Sequence, residues 1–422
     1  MNILWFSNPS YGAYGYSRVT KNVVEGLRKA GHETIILGNI TQGNIIPDER
    51  GNKNLPTYFD GWGSDTLEHY LKSYDIDLMV LVLDTWMDPI QYLPKLTKKL
   101  NIPLITHATI RANPLSPFIA RFLIESDHVV APSKYGYKTT VELKELMNKT
   151  SYIPHGVDLG TFKRIPDMRE KMKKRLGYDD KFVYLSVGRN NFYMKKYDIM
   201  YRAYKTMVDN EPDTKRNTVL HLHCMPNEPN SIKLDVLRNR IGMNDQIKFS
   251  YARPKNNWEG IELCAENDPH AMPHNPNFGM DELEMAKMYN MSDTHVMTTE
   301  GESFALPVLE SQACGIPQVF PNHTTGPELI GEPKAGLLAS IQAEVTAPLI
   351  NDVFYADPTM VAKCMHHMYS NPGDREVFSR NALENAKQYS WHKIIPMWLE
   401  LIEGIGKKKN TVVDYMKGDM GV

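Results

Sequence analysis

Short apolar runs alternate with amphipathic stretches along nearly the whole of this 422-residue chain. The first run, residues 3–6, leads into a turn rich in glycine and tyrosine and then into apolar positions at helical spacing over residues 19–30. Residues 34–37 follow as a second strand, which completes a strand–helix–strand unit. Four further apolar runs in the first half have strand length: 77–83, 103–106, 128–131 and 151–154. Such strands, separated by helices, predict a parallel, doubly wound α/β sheet.

The second half repeats this α/β pattern after a charged linker and helix beginning at residue 163. Its predicted strands are 182–188, 219–224, 246–251, 294–299 and 318–320. Helical patterns at residues 280–289 and 391–405 complete it. Length alone favours two domains, and two successive α/β patterns give the same prediction.

The residues with the clearest chemistry lie between 300 and 317. Pro307 suits the first position of a helix, and Gly315 before Ile316-Pro317 is a stop signal. A loop that enters a helix in this way points backbone N–H groups and the positive end of the helix dipole at a ligand, typically a phosphate. Glu302 precedes the predicted helix and Glu310 lies one turn inside it, where carboxylates could bind hydroxyl groups.

Cations follow another predicted strand of the second half. Arg189 comes directly after that strand, and Lys195 and Lys196 follow within a few residues. Arginine binds phosphate as a planar fork and lysine as a point charge, so this loop could neutralise a diphosphate.

The first half of the chain also contains candidate ligand-binding residues, two glycines and a histidine. Gly12 and Gly15 would let the backbone approach a ligand closely, and Ser17 is a candidate helix cap. The absence of G-x-G-x-x-G from this turn counts against a dinucleotide site. His107 stands at the carboxyl end of a predicted strand, where ligands of such sheets bind.

No residue pattern predicts a metal site. The pair Asp75 and Asp77 precedes a strand, at the end of the sheet away from the expected ligand crevice, and a solvated turn explains it better. His221 and His223 share one face of a strand but lack a third ligand. The four cysteines form no C-x-x-C pair and have no zinc-like spacing.

Composition narrows the class of protein further. The formal net charge of -2 gives no support for a nucleic-acid or membrane partner held by bulk electrostatics. The cysteine pattern fits reduced thiols, and the first residues lack the features of a signal peptide, so we expect a cytoplasmic protein. No stretch of about 20 apolar residues exists, and we expect no membrane span.

The run from Glu302 to Glu310, followed by Ala313-Cys-Gly-Ile-Pro317, resembles the E-x7-E signature of retaining GT-B glycosyltransferases of the GT4 type (glycosyl transferases group 1). Residues 151–162 resemble the I-P-N-G-V-D segment of that family, with His155 replacing the usual Asn. The resemblance implies a GT-B fold, in which two Rossmann-like domains with parallel sheets face a central cleft. The acceptor-side domain would cover residues 1–165 and be completed by the C-terminal helix 391–422. The nucleotide-sugar-binding domain would cover residues 166–390.

The same resemblance implies metal-independent transfer of a sugar from a nucleotide-diphosphate sugar, UDP- or GDP-linked, without a cofactor. It implies these catalytic residues: His107, Arg189, Lys195 and Glu302. It implies these donor-binding residues: Gly12, Gly15, Arg189, Lys195, Lys196, Arg253, Glu302, Ser303, Phe304, Ala305, Leu306 and Glu310. Glu310 would bind the ribose, Glu302 the transferred sugar, and Arg253 would begin the loop that reads the base.

Three points stay open in the sequence. The family lysine usually lies five residues after the arginine, whereas Lys195 lies six and Lys196 seven after Arg189; the downstream Asp198 favours Lys195. An insertion at 255–279 puts base specificity in doubt, and long loops of this kind are usually functional or disordered. The acceptor is unidentified: a saccharide, a lipid-linked sugar, a protein or a modified nucleobase, with peripheral membrane contact also open.

Two alternatives to glycosyl transfer remain at this stage. One is another GT-B reaction, such as nucleotide-sugar epimerisation or sugar-phosphate synthesis. The other is a non-catalytic subunit that keeps the fold and binds a partner glycosyltransferase or a glycan.

Overall fold

The chain divides into two compact units. The structure, a computed structural model, describes residues 1–12, 14–39, 43–57, 60–190, 194–255, 261–273 and 280–418, with side chains as far as 406. Unit 1 consists of Met1–Ile110, Pro114–Gly156 and Trp391–Val422, and unit 2 of Arg111–Asn113 and Val157–Ser390. The boundary predicted at residue 165 falls at Gly156, because the Val157 N–H already donates to the Tyr389 carbonyl of unit 2 at 2.8 Å.

Unit 1 is built on an eight-stranded sheet of order β3-β4-β2-β1-β5-β6-β7-β8. All neighbouring strands are parallel except the short edge pair β3 and β4. The strands are β1 Asn2–Ser7, β2 Glu33–Gly38, β3 Ile46–Pro47, β4 Lys53–Leu55, β5 Leu78–Leu81, β6 Leu104–His107, β7 His128–Ala131 and β8 Thr150–Tyr152. The direction of winding reverses between β1 and β5, so the loops after these strands lie at the switch point of a doubly wound sheet.

Within the described residues of unit 1, six α-helices lie between its strands. They are α1 Gly15–Lys29, α2 Leu67–Ser73, α3 Leu93–Lys99, α4 Pro117–Glu125, α5 Lys134–Val141 and α6 Lys144–Met147. Helix α1 buries Val19, Val23 and Leu27, as the apolar spacing predicts. The predicted cap Ser17 is wrong: the helix starts earlier, at Gly15, and Ser17 lies inside its first turn.

Unit 2 is built on a six-stranded, wholly parallel sheet of order β11-β10-β9-β15-β16-β17. Its strands are β9 Phe182–Val187, β10 Thr218–His223, β11 Ile247–Phe249, β15 Thr294–Val296, β16 Gln318–Pro321 and β17 Gly336–Ala339. Its helices are α7 Met168–Leu176, α8 Tyr197–Asn210, α9 Pro212–Asn217, α10 Leu234–Arg240, α11 Glu282–Met291, α12 Leu306–Ala313, α13 Pro358–Ser370 and α14 Pro372–Gln388. Here the winding reverses between β9 and β15.

Two small antiparallel sheets are added to unit 2. The first combines β12 Tyr251–Pro254, β13 Ile261–Cys264 and β14 Met272–Pro273, and the second is the hairpin of β18 Ile341–Ala347 and β19 Asn351–Ala356. Part of the predicted insertion 255–279 is therefore a sheet rather than a structureless loop. Its residues 256–260, with Trp258, and 274–279 lie outside the described residues.

The last helix, α15 Trp391–Gly418, returns to unit 1. Trp398 is buried against Trp5 of β1, with ring centroids 5.3 Å apart. Gly156 is required where the chain passes Trp391, because a Cβ atom there would lie 2.4 Å from the indole ring. The core of unit 1 thus contains side chains from both ends of the sequence.

Candidate active site

The candidate residues of unit 2 gather in the loops that follow β9 and β15. These strands are neighbours at the switch point of the sheet, where their carboxyl ends open onto a common crevice. The first loop carries Arg189, Lys195 and Lys196, and the second carries Glu302. Residues 191–193 of the first loop lie outside the described residues.

Arg189 is held by a carboxylate that the sequence motif did not indicate. Its guanidinium pairs with Glu228, which follows β10 and is 4% exposed. The amide of the next residue, Asn190, donates to the carbonyl of Ile232 at 2.8 Å and anchors the start of the loop. About half of the Arg189 side chain stays exposed and open to a ligand.

Lys195 and Glu302 form an ion pair that joins the two loops. Both side chains are largely buried, so their attraction is screened far less than that of a surface pair. The Glu302 N–H in turn donates to the hydroxyl of Thr324 at 3.3 Å. A cation suited to phosphate and a carboxylate suited to hydroxyl groups therefore lie in direct contact.

Lys196 is directed to a different partner. Its ammonium lies 2.8 Å from Glu300 Oε2 and 4.3 Å from the centre of the Tyr355 ring. Glu300 also accepts from Arg111 at 3.0 Å. Burial alone would lower the pKa of Lys196, but the hydrogen bond and charge of Glu300 outweigh it and raise the pKa. Lys196 is consequently a charged residue in a three-membered ionic network.

The candidate residues Ser303, Phe304, Ala305 and Leu306 form the approach to α12. Phe304 is buried and packs edge-to-face on Tyr389, with centroids 5.7 Å apart. Ala305 precedes the helix, Leu306 is its first residue, and Pro307 occupies its first turn. The first N–H groups of a helix have no acceptor within it, so this end is suited to bind an anion.

Glu310 lies within α12 and is only 2% exposed. Its Oε2 accepts a hydrogen bond from the Tyr289 hydroxyl at 2.9 Å. That contact orients the carboxylate.

Left-handed backbone conformations occur at three residues of this site. Lys196 has φ of 48°, Ala305 of 74° and Thr324 of 46°. Residues other than glycine, asparagine and aspartate rarely adopt this region, and such strain tends to cluster at functional sites. Lys196 is the neighbour of Lys195 in the chain, and Thr324 accepts a hydrogen bond from the Glu302 N–H. Ala305 is the N-cap of α12, three residues after Glu302.

His323 contacts the second loop and Thr324 through its two ring nitrogens. Its Nε2 donates to the Thr299 carbonyl at 3.0 Å, and Nδ1 lies 3.2 Å from the Thr324 hydroxyl. Burial lowers the pKa of His323 to about 4, so the ring is neutral near pH 7.

Arg253 departs from its predicted surroundings. It lies on strand β12, not at the start of a loop, and its guanidinium contacts Glu262 at 3.0 Å and Asp268 at 2.6 Å. Both carboxylates belong to the inserted segment. The pairing explains the difference, because the insertion supplies a neighbouring strand where the predicted loop would begin.

The candidates of unit 1 lie in loops and strand ends of its own sheet. His107 ends β6, is fully buried and stacks on His155 with centroids 4.9 Å apart. Burial lowers the pKa of His107 to about 4, so it serves as a neutral ring near pH 7. A Cβ atom at Gly12 would lie 2.5 Å from the Ser17 hydroxyl, which would have to move, and Gly15 is the first residue of α1.

The rejected metal candidates have structural partners. Asp77 accepts from the Asn2 N–H at 2.9 Å, and His221 and His223 both contact the Ser250 hydroxyl at 2.9 Å. Within the described ranges, no group of three or more His, Cys, Asp or Glu side chains is placed to hold a metal ion. Among the described helices, none has the length and apolar character that crossing a membrane requires.

Sequence reasoning missed three charged residues of this region: Arg111, Glu228 and Glu300. Arg111 and Glu228 lie far in sequence from the residues they contact, and no local pattern points to them. Glu300 stands two positions before Glu302 and could have been noted as a second acid at the end of the same strand.

Two family models match the chain: Glycosyltransferase Family 4 over residues 14–161 and Glycosyl transferases group 1 over residues 277–365. The chain belongs to the GT4-type family of group 1 glycosyltransferases. The matched ranges include Gly15 and His107 in unit 1 and the whole E-x7-E run in unit 2.

Curated relatives of this glycosyltransferase family are distant in sequence. The D-inositol 3-phosphate glycosyltransferases of Geodermatophilus obscurus and Saccharomonospora viridis are 24% and 22% identical, over 65% and 87% of this chain. The matched part spans about half of the first relative's length, 53%, and 79% of the second.

Solved structures with the same fold cover almost the entire chain. Sucrose-phosphate synthase of Thermosynechococcus elongatus has a TM-score of 0.72 at 14% identity, covering 97% of this chain and 100% of its own. Anabaena HepE, solved in complex with UDP and glucose, has a TM-score of 0.70 at 14% identity, covering 96% and 100%. The predicted GT-B fold, with two Rossmann-like units, is thereby confirmed.

Proposed function

We propose that the protein is a retaining, metal-independent glycosyltransferase that moves a sugar from a nucleotide-diphosphate sugar to a hydroxyl-bearing acceptor. The observation that carries this proposal is the Lys195–Glu302 pair just before α12. A cation, a carboxylate and a helix N-terminus lie together at the switch point of the unit 2 sheet. This combination suits the junction between a diphosphate and a sugar.

The site can stabilise the leaving group without a metal ion. As the bond between the anomeric carbon and the phosphate oxygen breaks, the diphosphate gains negative charge. Lys195, Arg189 and the N–H groups at the start of α12 are preorganised to receive that charge. Glu302 accepts hydrogen bonds from hydroxyl groups of the transferred sugar, which is attached to the diphosphate.

The carboxylates of the site are already engaged by other side chains, which argues against a covalent glycosyl-enzyme intermediate and supports retention by attack on the front face. Glu302 pairs with Lys195, and Glu310 accepts from Tyr289 inside the helix packing. In the proposed step the acceptor oxygen bonds to the anomeric carbon on the face from which the diphosphate departs. The acceptor proton passes to the departing phosphate oxygen, so charge and atoms balance.

The relatives suggest which acceptors to test first. Two are named for D-inositol 3-phosphate and one structural neighbour for sucrose phosphate. We therefore propose a polyol or a sugar phosphate as acceptor. The four cysteines are all buried free thiols, which supports a reducing compartment such as the cytoplasm.

A donor screen tests the proposal directly. Purified protein is mixed with UDP- and GDP-linked sugars and polyol or sugar-phosphate acceptors in the presence of EDTA, and released UDP or GDP is measured. We expect nucleotide release that EDTA leaves unchanged. Arg189→Ala and Lys195→Ala should each lower turnover by on the order of 10²-fold, as does removal of one oxyanion donor.

Lys205→Ala is the matched control, because Lys205 pairs with Asp209 on the exposed side of α8. Binding of nucleotide sugars without release would favour the non-catalytic subunit instead. A silent Lys195→Ala together with a disabling Lys196→Ala would show that the phosphate contact is assigned one residue too early.

A further inference from the structure

Two adjacent lysines of the β9–α8 loop are directed to two different carboxylates. Lys195 pairs with Glu302, whereas Lys196 pairs with Glu300 and covers the Tyr355 ring. The left-handed backbone of Lys196, φ 48°, separates their directions just before α8 begins. The two ammonium groups therefore lie against different carboxylates.

Glu300 provides that hold through its backbone as well as its carboxylate. Its N–H donates to the Met194 carbonyl at 2.9 Å, and its carbonyl accepts from the Phe354 N–H of β19 at 3.0 Å. The residue is 8% exposed, and its two oxygens contact Lys196 and Arg111 separately. Nearby, the Thr298 hydroxyl donates to the Lys196 carbonyl at 2.9 Å.

We propose that Glu300 is a positioning residue that selects which of the two lysines faces the donor diphosphate. By capturing Lys196, it commits Lys195 to the side where Glu302 and the start of α12 lie. This inference rests on the proposed function, since it assigns the donor phosphates to Lys195.

The charges explain why such a selection is needed. Two neighbouring ammonium groups repel each other, and both would be drawn to a bound diphosphate or to Glu302. The buried Glu300 carboxylate, which Lys196 and Arg111 share, neutralises Lys196 in place. Lys195 is then left as the cation of the site. Removing the carboxylate's charge leaves two cations without their shared counter-charge.

The same unit contains a matched network at the opposite end of the same strand. Asp293, which precedes β15, pairs with Lys173 at 2.8 Å and Arg169 at 2.8 Å. Glu300, which follows β15, likewise pairs with one lysine and one arginine. The two carboxylates are similarly buried, but Asp293 lies at the amino end of the strand, away from the switch point.

The test compares Glu300→Gln with Asp293→Asn. Both changes keep the shape of the side chain and remove its charge, so both should lower the midpoint of urea unfolding. Only Glu300→Gln should also weaken UDP or GDP binding, measured by calorimetry, by about 10-fold or more, and lower kcat/KM by on the order of 10²-fold, the loss expected from a misplaced catalytic group. Equal effects of the two variants on nucleotide binding would overturn the proposal.

A double variant separates positioning from a general effect on folding. If Glu300 acts through Lys195, then Glu300→Gln added to Lys195→Ala should cost little further activity or nucleotide affinity. Fully additive losses would overturn the proposal. Nucleotide binding that responds as described, without turnover of any donor, would refute the proposed function while supporting the role of Glu300.

Discussion

Glu310 differs from the other charged groups of the site in its burial and its partner. At 2% exposure it offers its carboxylate only to a ligand that fits closely, and Tyr289 already donates to Oε2. We assign this residue to the ribose of the donor on the basis of the family motif. The ribose does not react, so Glu310 should bind it about equally in the ground state and in the transition state. Loss of Glu310 should therefore affect donor binding more than the chemical step.

Glu310→Gln should therefore raise donor KM much more than it lowers kcat. A 2′-deoxyribose donor should bind more weakly to wild type by roughly 1–3 kcal/mol, because a buried acceptor is left unpaired. The variant should discriminate against that donor far less. Steady-state kinetics with both donors gives the comparison.

Tyr289→Phe is the control, since it removes the hydrogen bond to Glu310 but leaves the carboxylate. We expect it to lower stability while retaining discrimination against the deoxy donor. Equal discrimination by wild type and Glu310→Gln would mean that Glu310 serves the packing of α12 and not the ribose.

At this scale the sequence predicts the residues of a motif better than their partners. Lys195 and Glu302 could be proposed because each stands in a recognisable local run. Glu228 and Arg111 could not, because their importance arises from contacts across 39 and 189 residues of sequence. Which lysine turns toward Glu302 depends on the left-handed backbone at Lys196, and residue identity gives no sign of that conformation there.

At the scale of elements, the sequence predicts well those strands that consist of a continuous apolar run. Strands β5, β6, β7, β9, β10 and β16 each overlap a predicted run. The hairpin of β18 and β19 was not predicted, because β18 is largely exposed and lacks the apolar signal of a buried strand. The sheet around β12 was not predicted for another reason: its strands β13 and β14 lie within an insertion whose sequence carries no strand signal.

The inserted sheet gives a prediction about Arg253. Its guanidinium is engaged by Glu262 and Asp268, which supports a structural role over reading of the base. Arg253→Leu should lower the midpoint of thermal unfolding but leave the preference between UDP- and GDP-linked donors unchanged. Arg175→Leu, which removes a longer contact of 3.5 Å to the same Glu262, is the control for stability. An altered nucleotide preference in Arg253→Leu alone would restore the role in base recognition.

For the whole molecule, the most consequential element is helix α15. It begins where unit 2 ends and brings Ile394, Trp398 and Ile402 into the core of unit 1. The amphipathic pattern at 391–405 predicts a helix, but only the resemblance to GT-B enzymes indicated which unit it would join. A pattern of apolar positions shows that a face is buried, not against what.

Trp398→Ala should destabilise unit 1 by about 3–5 kcal/mol, the usual cost of truncating a buried aromatic residue. Urea unfolding followed by circular dichroism should then show a transition at lower urea concentration, with a second transition, from unit 2, left in place. Trp86→Ala is the control, because Trp86 is an exposed tryptophan of the same unit. A single transition that shifts as a whole would show that the two units unfold together.

The return of α15 also sets the order in which the protein can be completed on the ribosome. Domains generally fold as they emerge, the N-terminal one first. Here the sheet translated first must wait for Trp398 to fill its core, whereas unit 2 has all its residues once Ser390 has been made. The unit synthesised second is therefore the first with all its residues, and the face of Trp5 that packs on Trp398 has no partner until α15 has been made.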